Sequence, residues 1–117
     1  MPADVNSAFD IAFWYLDMAE RSFEHMQPQK LQRLLFLSQA YYAVAFEGRK
    51  LMPAVFVADE IGPIEPNVYA ALSRGRPKLE AEIFLSYEIE SFLDALWRRF
   101  GNYPPDRLTR MTKETIA

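Results

Sequence analysis

The sequence contains no cysteine and a single histidine, His25. Without cysteine there is no disulfide framework, no thiolate nucleophile and no cysteine-based zinc site. One histidine leaves no pair at metal-ligand spacing. His25 sits in SFEHMQP between two predicted helices, where a solvated loop side chain is a simpler reading than a general base, which needs partner groups. Glycine is also scarce, with four in 117 residues, and none belongs to a phosphate-cradling loop. The longest unbroken apolar run, AYYAVAF from Ala40 to Phe46, is far short of the ~20 residues that span a bilayer. The start, MPADVNSAFDIAF, lacks the basic region and apolar core of a secretory signal. Positive charge is in deficit: 13 Lys and Arg stand against 16 Asp and Glu, a net charge of −3. That balance argues against broad electrostatic binding to nucleic acid or anionic lipid. The expectation is a cytoplasmic chain with no membrane contact, no cofactor and no metal.

What is present is helical periodicity. At this length one domain, 1–117, buries enough surface to hold a core without metals or disulfides. Ser7 is a good N-cap for a first helix reaching about Arg21, with Phe9, Ala12, Phe13, Leu16, Ala19 and Phe23 recurring at three and four residues. Ile11, Tyr15 and Met18 add a second stripe, so this helix is expected to be central. Pro28 suits the first position of a second helix that continues to about Glu47, with Leu31, Leu34, Leu35, Ser38, Tyr41 or Tyr42, and Ala45 on its core face. The most legible helix follows Ser86 as cap, with Glu88 and Glu90 in its first turn, Arg98 and Arg99 in its last and Gly101 beyond. Its buried face is Ile89, Phe92, Leu93, Leu96, Trp97 and Phe100. PAVFVADE and AEIFLSY are short β-prone runs that either pair or stay extended. One more capped turn is expected near Asp106, then a fraying polar tail from about residue 111. The fold class is mainly α: a compact bundle of four to five helices with room for a two-stranded hairpin.

The stretch ADEIGPIEPNVYAAL, Ala58 to Leu72, is stiff in a way that invites explanation. Gly62 is open to backbone angles closed to other residues, Pro63 has its φ fixed, and Pro66 suits the first turn of a short helix reaching about Ser73. Gly62, Pro63 and Pro66 therefore form a structural corner that restarts the chain at a defined angle. The carboxylate pairs Asp59 with Glu60, Glu80 with Glu82, and Glu88 with Glu90 could be acid/base or metal groups, but solvated surface or helix-dipole partners explain them more simply. Tyr41 and Tyr42, about 100° apart on a helix, cannot share one core face, so one is expected to be partly exposed. Lys30, Arg33 and Gln39 read as the solvated side of the same helix.

MQPQKLQRLLFLSQAYYAVAFEGRKL followed by AVFVADEIGPIEPNVYAAL resembles the Panacea domain, the family of SocA-like antitoxins that also includes phage-associated GepA-like proteins. The matching positions are Gln27 and Pro28; Lys30, Leu31, Gln32, Arg33, Leu34, Leu35 and Phe36; Tyr41 and Tyr42; Gly62, Pro63 and Ile64; and Pro66, Val68 and Tyr69. The chain departs from the pattern at Asp59 and Ile61, before the corner, and at Thr112 and Lys113. The resemblance implies a non-catalytic antitoxin of a type II toxin–antitoxin pair. Its partner would be a cognate toxin encoded next to it, and for SocA-like members an ATP-dependent protease as well. The contact surface expected on this reading is Lys30, Arg33, Gln39, Tyr42, Asp59, Glu60, Pro63 and Tyr69. Homo-oligomerisation is left open. The alternatives are a DNA-binding autoregulator, using Arg33, Arg49 and Lys50 or else Arg74, Arg76 and Lys78, and a phage or mobile-element accessory protein with chemistry at Asp59 and Glu60.

Overall fold

A computed structural model describes residues 3–59, 62–73 and 85–116. Among them the chain forms five helices and one hairpin: α1 (Ala8–Arg21), α2 (Pro28–Ala45), β1 (Val57–Asp59), β2 (Gly62–Ile64), α3 (Pro66–Leu72), α4 (Tyr87–Phe100) and α5 (Pro105–Ile116). The mainly α architecture matches the periodicity. Start signals act as their chemistry dictates. The Ser7 hydroxyl accepts from the Phe9 N–H, the Ser86 hydroxyl accepts from the Ile89 N–H, and Pro28 and Pro66 open their helices where a missing N–H is harmless.

The hub of the fold is α2, which packs against α1, α3, α4, α5 and β2, rather than α1. Its core face extends past the predicted leucines because Gln32 and Arg33 are buried beside Leu31, Leu34, Leu35, Leu37, Ser38 and Tyr42. Around it lie Ile11, Ala12 and Tyr15 of α1, Val68 of α3, Ile89, Leu93, Leu96 and Phe100 of α4, and Leu108 of α5. Tyr15 and Ser38 share a buried hydrogen bond, and the Ser38 hydroxyl also bonds the Leu34 carbonyl. Trp97 is half-buried and flanks this core instead of filling it. Ala45, at the end of α2, is exposed.

Three further expectations are corrected, and Gly101, just beyond α4 as expected, gains a reason. Phe23 is not on the α1 core stripe, because α1 ends at Arg21 and the chain turns left-handed at Phe23. The polar tail is helical to Ile116, since Leu108 and Thr112, a turn apart, are both buried on one side of α5. The antiparallel strand pair joins Val57 to Ile64 and Asp59 to Gly62, so PAVFVADE pairs with the corner itself; residues 81–84 of AEIFLSY lie outside the described residues. Gly101 is right-handed, and its requirement is space: a Cβ there would sit 2.8 Å from the Trp97 ring.

Candidate functional site

The α2 side chains expected on the surface turn inward and hold loops. Arg33 is fully buried. Its Nη1 donates to the Pro63 carbonyl at 2.6 Å and its Nε donates to Thr109 Oγ1 at 3.1 Å, tying β2 and α5 to α2. Gly62 has φ of +129°, and a Cβ there would lie 2.9 Å from both Cζ and Nε of Arg33. Glycine is therefore required twice, by backbone angle and by the guanidinium packed against it. One residue earlier on α2, Gln32 Oε1 accepts from the Glu65 N–H at 2.7 Å. The buried Glu65 carboxylate in turn accepts from the Val68 N–H at 2.7 Å, capping α3. The corner thus fixes how α3 docks beside α2, and Pro63 is buried within it.

Gln39 and Tyr42 are likewise structural. Gln39 Oε1 accepts from the N–H groups of Leu51 and Met52, each at 3.1 Å, and Nε2 donates to the Met52 carbonyl at 2.9 Å. All of that amide's reach serves the loop after α2. Tyr42 is buried and donates to Asp4, which also pairs with Arg49 at 2.8 Å. Hydrogen bonds from Tyr42 and Arg49 hold the Asp4 carboxyl below the usual carboxylate range. Burial, and then the Asp4 bond, push Tyr42 up to about 12. Lys30 is half-buried and donates to the Gly101 carbonyl at the end of α4, where a cation meets the negative end of the helix dipole.

Of the expected contact residues, only Tyr69 is a described side chain standing in solvent, at 42% exposure. Glu60 lies outside the described residues, as does the Asp59 side chain. Because Arg33 is buried while Arg49 and Lys50 are exposed, these three do not share one basic face. Arg74, Arg76 and Lys78 lie outside the described residues, as do Glu80 and Glu82. Among the described residues no three His, Asp or Glu gather as metal ligands, and no helix is long and apolar enough to cross a membrane.

The most exposed large apolar side chain among the described residues stands just after α1, at one of two helix stops, with that at Glu47, whose left-handed position is not glycine. The Phe23 N–H bonds the Glu20 carbonyl at 3.1 Å and the Glu24 N–H bonds the Ala19 carbonyl at 2.8 Å. This is the helix stop in which the left-handed position is normally glycine. Here it is Phe23, with φ of 55° and a side chain 98% exposed. Beside it opens a cavity of about 450 Å³ whose walls include Leu16 and Ala19 of α1, Met26 before α2, Leu31 of α2 and Leu72 of α3. Glu20 and Glu24, which bracket Phe23 in the chain, and His25 also line it. Tyr69 lies one turn before Leu72 on α3, on the same side of that helix. Periodicity placed Phe23 in the core because its spacing from Ala19 continues the α1 stripe. The signal for the stop is only SFEHMQP, a polar run before Pro28 without a glycine.

Compared with protein-family models, curated proteins and solved structures, the chain matches none. The resemblance to the Panacea domain rests on the motifs quoted above.

Proposed function

We propose that this chain is a protein-binding module that neutralises a toxin by forming a complex with it, as the antitoxins it resembles do, and that it is not an enzyme. The observation supporting this reading is Phe23. A left-handed backbone at a non-glycine residue costs on the order of 1 kcal/mol, and a fully exposed ring gains nothing from burial. The turn itself closes α1 on the Ala19 and Glu20 carbonyls, but neither the choice of a non-glycine residue there nor the exposed ring helps the isolated chain fold. Both make sense if a partner covers the ring, since burying a Phe side chain yields ~1.5–3 kcal/mol. Exposed aromatics beside an apolar depression are the usual anchors of protein interfaces. On this reading the contact surface is Phe23, Met26, Leu72 and Tyr69; Arg33 and Pro63 hold the corner that docks α3, and Gln39 and Tyr42 hold the loop after α2 and the N-terminal segment. The adaptor role toward an ATP-dependent protease belongs to the same resemblance.

Co-expression with the product of the adjacent reading frame tests the proposal. The expected result is rescue of growth at stoichiometric expression and a complex that survives purification. Rescue by trace amounts, or no complex with that product, overturns it.

A further inference from the structure

The last turn of α4 and the start of α5 meet at a second cavity, of about 490 Å³, lined by Arg99, Phe100, Tyr103, Arg107, Arg110 and Met111. Among the described residues, three guanidinium groups line it and no carboxylate does. Like charges gathered this way repel one another until an anion arrives. Neighbouring Arg98 is paired with Asp94 at 2.9 Å, whereas Arg99, Arg107 and Arg110 make no ion pair among the described residues. Asp106, in the first turn of α5, does not line the cavity. Two of the three cations are already oriented. The Arg107 guanidinium lies 3.8 Å from the centre of the Tyr103 ring, and that of Arg99 lies 4.9 Å from the centre of Phe100. Stacking on a ring removes part of the rotamer freedom that an arginine otherwise loses on binding.

We infer that this cavity receives the carboxylates of an acidic segment of a protein partner. A guanidinium fork matches a carboxylate in two parallel hydrogen bonds, and arginine and tyrosine are both enriched among the residues that carry interface energy. The net charge of −3 weighs against a nucleic acid, whose phosphates would continue past three arginines onto a predominantly acidic chain. The position suits a partner already engaged elsewhere. Pro28 and Leu31, at the start of α2, line the apolar cavity near Phe23, while Lys30 of the same turn holds Gly101, next to Phe100. The inference rests on the protein-binding reading for its choice of partner, and it is tested independently of it.

The test titrates the whole chain with three probes: a peptide of roughly ten residues rich in Asp and Glu, the same peptide with Asn and Gln in their place, and a short DNA duplex. Arginine side-chain N–H resonances and the Tyr103 ring are followed by NMR, with affinities from calorimetry. The acidic peptide is expected to shift Arg99, Arg107, Arg110 and Tyr103 and to bind at least about tenfold more tightly than its amide counterpart. Arg107→Gln with Arg110→Gln should remove that difference at an unchanged melting temperature. Equal binding of the two peptides, shifts centred elsewhere, or tighter binding of the duplex overturns the inference. The peptide contrast needs no variant, so it decides the matter even if the double variant is unstable. If a complex with the adjacent gene product forms and ignores the double variant, the proposed function stands and this site falls.

Discussion

Gly62 and Phe23 both occupy left-handed backbone, and the contrast between them separates what the fold requires from what it merely tolerates. At Gly62 the Arg33 guanidinium occupies the space where a Cβ would go, so φ and packing together dictate the residue. At Phe23 a φ of 55°, the left-handed helical value, closes a helix, glycine would serve better, and the ring reaches into solvent. Residue choice at the first site follows from the interior. At the second it has no interior explanation, which directs attention outward, to whatever covers the ring.

The contrast is broken most severely from the Arg33 side. Arg33→Ala should destabilise the chain by roughly 3–5 kcal/mol, through lost packing and through the buried Pro63 carbonyl left without its donor. Chemical denaturation measures it, and a loss below about 1 kcal/mol would show that the clamp on the corner is incidental. Gly62→Val should cost ~1–3 kcal/mol, because the added atoms meet Arg33 and the backbone angle is strained. An unchanged melting temperature contradicts that.

A pH series sharpens the interior half of the comparison. Tyr42 is raised from 10.0 to about 12 in the fold, so the folded state holds the phenol proton more tightly than the unfolded chain. The stability this represents is fully present below pH 10 and is lost as pH rises from 10 towards about 12. Burial pushes Tyr15 in the same direction. Denaturation midpoints should therefore fall across that window, and Tyr42→Phe should flatten the fall. A midpoint insensitive to pH there would contradict the burial of these hydroxyls.

The smallest effect lies at the other site. Phe23→Gly should raise the stability of the isolated chain by about 0.5–1 kcal/mol, the relief of left-handed strain less the entropy that glycine adds to the unfolded chain. A loss of stability measured by denaturation would mean that the ring packs on the chain after all.

The same residues show how far sequence reasoning reaches. Helix positions were legible because caps and prolines are local: Ser7, Pro28, Pro66 and Ser86 each act on backbone groups within a turn. The central place of α2 was not, because Gln32, Arg33 and Gln39 look solvent-facing by type and are drawn inward only by partners 12 to 76 positions away in the chain. Hydrophobic periodicity cannot register a polar residue whose hydrogen bonds come from a distant loop. Phe23 fails in the opposite sense: its type and spacing say core, and only the helix stop after Arg21 turns it out. The corner was legible as a corner, from Gly62, Pro63 and Pro66, but the reason glycine is needed there depended on Arg33. The tail's helix was obscured by its polar composition, since Leu108, Met111 and Thr112 are few anchors among charges.

The most direct test compares wild type and Phe23→Gly in two measurements on the same preparation: melting temperature of the isolated chain, and affinity for the product of the adjacent reading frame. The account predicts a variant at least as stable as wild type whose binding is weakened by about tenfold or more. A variant that binds the partner as tightly as wild type would contradict the claim that Phe23 is held in the open for a partner to cover.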